Sequence, residues 1–469
     1  MLLDAETLST LTSDHSSRTP SFMEAFAERR TTSAMVFRDG AITDATTGQE
    51  QGVGIRARHG NSTVHSVVQQ VNGQAVRKAI ASAAATSGQL EIATTTDERT
   101  VPVPWTAPLD PAAELSPEPD TAARRAELLS IVDDAVTEAD SVTSVTAVLR
   151  TEHRVRDIAN SLGDRATGTS RRERVAVTVA VGAFAKQAQG RASVAINGTK
   201  LRLSEADLRD AVREAARRAH SRLQAIAAPL GEMPVVLAPG SGAVLIHEAL
   251  GHGLEADHLD RRSSIYHDLL GQQIGPSGLH IVDDGNLPGG WGTESFDDEG
   301  RPTNRTALVE DGVLVGYMFD LIHTRENSAP DTPSANGRRQ NYQCLPLPRM
   351  TNTLVLPGTV TGQDIVEDTK SGIYVARLGD ARVNTATGDF VFTAEESYVI
   401  RQGRMCEPLA AHTLVGNGPA VLREIDGIGS DFALGPPGNC GKDGQTVPVG
   451  YGQPTLRVPR GLTVGGSKS

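Results

Sequence analysis

A chain of 469 residues is longer than one hydrophobic core can organise, so two or three domains are expected. Hydrophobic residues make up 38% and charged residues 22%, the balance of a globular protein, while aromatics at 4% leave Val, Leu, Ile and Ala to fill the core. A net charge of −12 argues against a nucleic-acid partner, because phosphate binding needs a basic surface.

The basic runs Arg124-Arg125 and Arg171-Arg172-Glu173-Arg174 sit beside acidic residues and read as solvated faces. Met1 to Glu6 has neither a basic stretch nor an apolar one, so no signal peptide is expected. No segment reaches the roughly 18 consecutive apolar residues of a membrane span. Cys344, Cys406 and Cys440 form an odd, sparse set, which points to a reducing cytoplasm. Each is then a free thiol, a core residue or a metal ligand.

Residues 1–20 are rich in Ser, Thr and Asp and predict a loose tail. Phe22 to Arg30 reads as a short helix. Ala34 to Arg38, the turn signal Asp39-Gly40 and Ala41 to Ala45 predict a hairpin, with Gly52 to Ala57 as the next strand of a meander. Gln74 to Ala85 carries Val76, Ile80 and Ala84 at helical spacing. Pro102, Pro104, Pro108, Pro111, Pro117 and Pro119 mark a connection that splits the N-terminal region. Thr121 to Ala139 is a second helix, with Leu128, Leu129, Val132 and Val136 on one stripe. Ser144 to Leu149 and Val175 to Val181 are strands rich in β-branched residues.

Ser204 to Ala227 reads as a long amphipathic helix, capped by Ser204 and acidic in its first turn at Glu205 and Asp207. The main boundary falls near Leu230, giving an N-terminal region over 21–230 and a C-terminal domain over 231–469. In the latter, Pro234 to Ala238 is a buried strand, and Gly240-Ser241-Gly242 leads into a helix. Beyond Gly275, short β-type runs among Gly and Pro predict mostly antiparallel structure. The fold class is α+β: an N-terminal region of sheet and long helices, then a mostly antiparallel β domain.

The helix after Gly242 carries His247-Glu248-Ala249-Leu250-Gly251-His252. Two histidines four apart share a helical face and bind zinc together. Here they are five apart, and five residues turn through about 500°, leaving the imidazoles roughly 140° apart. Both reach one metal only if the helix widens or ends between them, a freedom that Gly251 and Gly253 supply. Glu248 then suits the general base. Cys440, in the glycine-rich Pro436 to Lys442 loop, is the best third ligand, since a coordinated cysteine is held as thiolate. Asp257 and His258 are alternatives, and Cys440 also reads as a small buried hydrophobe.

The segment Leu245 to Asp257 resembles the signature of the TldD/PmbA metallopeptidase family on its metal-binding TldD side. Val282-Asp283-Asp284-Gly285, Asp297-Asp298-Glu299-Gly300, Asn336-Gly337-Arg338-Arg339 and Pro348 to Thr353 match as well, as do Cys440 to Gln445 and Val449 to Leu456. They occur in the family's order, from about Thr31 to the C-terminus. The resemblance implies that His247, His252 and Cys440 bind Zn2+ and that Glu248 is catalytic. It implies a peptidase for short or unfolded peptides, enclosed by a dimer, either a homodimer or a heterodimer with a related metal-free PmbA/TldE-type subunit. The N-terminus departs from the pattern where the leading helical segment is shortened or altered, which bears on the dimer contacts made there.

Arg338 and Arg339 are candidates for a clamp on a substrate carboxylate, against a simpler role pairing with Asp or Glu. Gly416-Asn417-Gly418 and Gly450-Tyr451-Gly452 lack a phosphate loop's Lys-Ser/Thr and read as turns. Besides a zinc peptidase, two readings stand: a tailoring hydrolase cleaving an amide in a peptide-like biosynthetic intermediate, and a non-catalytic binding subunit.

Overall fold

The computed structural model describes residues 2–13, 22–60, 62–89, 122–137, 141–183, 186–198, 202–323 and 334–465. The proline-rich connection over 101–119 and the side chains of Arg124 and Arg125 lie outside them. Among the described residues, no helix is long and apolar enough to cross a membrane.

The N-terminal region contains helix α1 (Ala5–Ser13), strands β1 (Phe22–Arg38), β2 (Ala41–His59) and β3 (Ser62–Val68), and α2 (Gly73–Gln89). After the connection come α3 (Ala122–Thr137), β4 (Val142–Asn160), β5 (Arg165–Ala183), β6 (Lys186–Asn197) and α4 (Glu205–Leu223). The strands form one antiparallel sheet in the order β3-β2-β1-β4-β5-β6, so both halves of the region share it. Asp39 and Gly40 both take positive φ, the geometry of a two-residue hairpin turn whose twist matches its strands.

Four expectations change. Phe22 to Arg30 is strand, not helix, and Gly52 to Ala57 is the far half of the long β2. The alternation of β1 is two-fold. Met23, Ala25 and Ala27 pack with α1 and α2, while Glu24, Phe26 and Glu28 face the C-terminal domain. Because that second face is charged yet buried, the pattern does not read as an amphipathic strand. Of the expected tail, residues 14–20 lie outside the described residues, while α1 follows Asp4, whose carboxylate accepts from Thr7 N at 2.6 Å, and Leu3 and Leu11 are buried. Arg171, Arg172 and Glu173 are buried in β5 instead of lying on a solvated face.

Helix α4 begins with a full capping box, in which Ser204 and Asp207 each satisfy the other's backbone N–H. It buries Leu208, Val212, Ala215 and Ala219 against β5 and β6. Gly190 permits this approach, as a Cβ there would fall 2.0 Å from Ala215 O. The helix ends at Leu223, short of Ala227, because Ile226 N instead donates to Pro408 O at 2.9 Å.

Two large sheets and a two-stranded one, Gly337–Arg338 with Leu347–Pro348, make the C-terminal domain. A nine-stranded sheet holds Val235–Leu237 parallel to Ser371–Val383, and a seven-stranded sheet holds Asn352–Val355 parallel to Gln445–Gln453. Their other pairings are antiparallel. Leu245, Ile246, Leu250 and Leu254 contribute to the core, together with Ile281, Ile373 and Phe392 from the strands.

Buried ion pairs join the N-terminal sheet to this domain. Arg56 Nη2 bridges Glu24 (2.7 Å) and Glu299 (2.6 Å), and Arg156 reaches Asp298 (2.8 Å) and Glu294 (2.6 Å). Replacing one member of such a network leaves uncompensated charge, a cost of about 3–5 kcal/mol. Arg56→Met should therefore lower the thermal unfolding temperature clearly in calorimetry, whereas exposed Arg401→Met should not. Equal effects would deny the network a structural role.

Candidate metal centre

The strand Val235–Leu237 delivers the chain to Gly240, whose φ of +74° and contact with Leu434 O leave no room for a side chain. A 3-10 turn, Ser241–Ala243, follows and then helix α5 (Val244–Ala249). Leu250, at φ −122° and ψ −53°, stops the helix, and a second 3-10 turn, Gly251–Leu254, carries His252. The helix thus ends between the two histidines, one of the two outcomes the five-residue spacing requires. Met350 packs so closely that a Cβ on Gly251 would meet its sulfur at 2.1 Å. The two imidazole centroids lie 5.1 Å apart with planes at 83°.

Cys440 arrives from far along the chain, on the strand Gly438–Lys442 of a hairpin closed at Asp443-Gly444. Its Sγ is 3.2 Å from His252 Nε2, and one donor atom from each of His247, His252 and Cys440 lies within 4.8 Å of the others. All three residues are buried, at 3%, 8% and 4% exposure.

A second shell fixes them. His252 Nδ1 donates to Glu255 Oε2 at 2.9 Å, leaving Nε2 turned toward Cys440. Lys442 Nζ donates to Glu255 Oε2 at 3.0 Å, Asp257 Oδ1 at 2.5 Å and Pro348 O at 3.1 Å. Arg349 Nη2 donates to the Cys440 carbonyl at 2.6 Å. Burial pushes the Glu255 carboxyl up, but His252 and Lys442 outweigh it and hold it well below the usual carboxylate range. Burial likewise opposes ionisation of Cys440, yet His252 and His247 hold the thiol well below its ordinary value. Cys440 is therefore poised as a thiolate.

Asp257 and His258, the alternatives to Cys440, form a neighbouring cluster with Glu255, but the Lys442 ammonium already sits on Asp257 and Glu255. Two imidazoles and a thiolate suit a borderline-soft divalent metal, and the buried Nδ1 of His247 has no hydrogen-bond partner among the described residues. The donors present fit such an ion.

Glu248 follows His247 directly, and its Oε2 lies 3.9 Å from His252 Nε2. Tyr451 stands on the other side of His247, ring to ring at 6.4 Å. It also lines a groove of about 480 Å3 bounded by Ala192–Ala195 of β6, the acidic face of α4, Trp291 and Arg377. Arg338 and Arg339, the expected clamp, do not line that groove. Both are buried: Arg339 pairs with Glu24 and donates to Asp298 O at 2.9 Å, and Arg338 donates to the carbonyls of Met350 (2.5 Å) and Pro448 (2.7 Å). Neither glycine run expected as a turn is one: Asn417 ends the strand His412–Asn417 and caps the helix Gly418–Glu424, and Gly450-Tyr451-Gly452 lie within the strand Gln445–Gln453. Glu255, Lys442 and Tyr451 were missed as site residues although they stand inside the motifs. The one readable signal was Glu255 three residues after His252.

The family descriptions "PmbA/TldA metallopeptidase" domain 1, central domain and C-terminal domain match residues 23–87, 114–223 and 230–466. The chain belongs to this family. It is similar to "Metalloprotease TldD homolog" of Haemophilus influenzae, at 34% identity over 99% of this chain and 97% of the relative. It is also similar to "Zinc metalloprotease TldD homolog" of Saccharolobus solfataricus, at 35% identity over 50% of this chain and 52% of that one. Among solved structures, TldE from Thermococcus kodakarensis superposes with a TM-score of 0.75 at 17% identity, over 95% of this chain and 97% of that chain. This last likeness speaks for the family's fold.

The Glu255 and Lys442 contacts around His252 predict how tightly a metal is held. Glu255→Gln and Lys442→Met should each weaken metal binding by about 10- to 100-fold in chelator competition. Wild-type affinity in both variants would remove the second shell from the account.

Proposed function

We propose that this chain is a zinc-dependent peptidase with His247, His252 and Cys440 as ligands and Glu248 as general base. The observation that carries the reading is the convergence of three buried donors from distant segments, with a carboxylate beside them. When bound, zinc supplies Lewis acidity toward the scissile carbonyl and makes water acidic near neutral pH. Glu248 accepts the proton from the attacking water and returns it to the leaving amine. Glu255 keeps the His252 ring oriented, and Lys442 balances the Glu255 charge so that it remains a hydrogen-bond acceptor.

The groove beside Tyr451 is the place for substrate, and its size supports short or unfolded peptides. The fold shared with TldE supports a dimer with a related metal-free subunit, or with a second copy of this chain, that closes over the groove. The three cysteines are unpaired, in keeping with work in a reducing cytoplasm.

Glu248→Ala should retain zinc by elemental analysis and lose peptide hydrolysis by about 100- to 10,000-fold. Stripping zinc from the wild type should abolish turnover, and adding it back should restore it. A zinc-loaded wild type inactive on any peptide or amide pool, or an active Glu248→Ala, would sink the proposal.

A further inference from the structure

A second cavity lies apart from the groove, between the N-terminal sheet and the C-terminal domain, with a volume of about 30 Å3. Six guanidinium groups line it: Arg30, Arg154, Arg156, Arg172, Arg338 and Arg339. Five are matched by carboxylates. Arg30 and Arg172 pair with Glu152, Arg156 and Arg172 with Glu294, Arg154 with Glu28 and Asp298, and Arg339 with Glu24.

Arg338 differs. It is 5% exposed, and among the described residues no carboxylate lies within ion-pair distance of it. Its two recorded acceptors are neutral carbonyls. Around the same cavity, Arg154 Nη2, Arg156 Nε, and Arg339 Nε and Nη1 are buried without acceptors in the described structure. Asp297, which lines it with Glu152, Glu294 and Asp298, is pushed by burial and by Glu299 well above the usual carboxylate range. A buried cation with no carboxylate in contact is costly even where Asp298 and Glu294 favour its charge from a distance, and unsatisfied N–H groups around a polar void call for an acceptor.

We propose that this cavity is a binding site for a small monovalent anion of chloride size, the missing counter-ion of Arg338. The volume admits one such ion with a water, given about 10–15 Å3 per water-sized sphere. Exposed Thr446 and one-quarter-exposed Arg30 at its rim give a way in. The bound anion joins domains. Arg154, Arg156 and Arg172 stand on the N-terminal sheet, while Arg338 holds Pro448 O, on the strand that pairs with the Cys440 strand.

The test uses the full chain in chloride and in gluconate at equal ionic strength. Raising chloride from zero to about 0.3 M should lift the wild-type unfolding temperature by roughly 2 °C, and Arg338→Met should lose that response. Crystals of the wild type soaked in bromide should show an anomalous peak in the cavity. An empty cavity at about 1 M bromide, or equal chloride responses in the two proteins, overturns the site. If Arg338→Met does not fold, the bromide map of the wild type decides alone. Neither readout depends on hydrolysis, so the proposed peptidase activity and the anion site stand or fall separately.

Discussion

The stop at Leu250 is the constraint on which the candidate metal centre rests. A helix continued through Gly251 would leave His247 and His252 on different faces, and no single ion could take both. The stop is imposed by packing: Met350 sulfur occupies the space where a side chain at residue 251 would point. The tight 3-10 turn that follows redirects His252 toward Cys440 and sets Glu255 three residues later to receive its Nδ1 proton. Ligand and orienting acceptor thus come from one local backbone decision.

Around that turn, charge is satisfied in layers. The Cys440 strand also carries Lys442, so the hairpin that brings the sulfur brings the cation that neutralises Glu255 and Asp257. Without Lys442, two carboxylates buried at 0% and 1% exposure would stand side by side beneath the site, a situation that favours protonation. A protonated Glu255 could no longer accept from His252 in the same way. Arg349 adds a hydrogen bond to the Cys440 carbonyl, so Cys440 and Lys442 are both tethered to the Pro348-Arg349 segment.

Much of this was legible in the residues, and the parts that were not share a cause. The Asp39-Gly40 turn, the Ser204 cap and the stripes of α2, α3 and α4 obey local rules, and the structure keeps them. The spacing of His247 and His252 forced a distortion near Gly251, and it is there. What escaped were charged residues that are buried: Glu24 and Glu28 hid a strand in what read as a helix, and Arg171 to Glu173 read as surface. Burial of such groups depends on partners more than a hundred residues away, as between Arg156 and Asp298. No window along the chain contains that information. The same holds for Cys440, whose nearness to His252 spans 188 positions; its loop made it a candidate, and only the family resemblance singled it out.

The buried charges also explain why the N-terminal region is more than a neighbour of the metal domain. Its sheet contributes Glu24, Glu28, Arg56, Arg154, Arg156 and Arg172, and their partners include Asp298, Glu299, Glu294 and Arg339 of the C-terminal domain. An apolar contact of the same area would tolerate sliding, whereas paired guanidinium and carboxylate groups are satisfied in few relative positions. That matters because the groove beside the metal centre has one wall from each region: β6 and α4 on one side, Tyr451 and Trp291 on the other. The ion pairs therefore bear on how the two walls of the groove face each other, and, on the proposed function, on how a peptide would lie beside Tyr451.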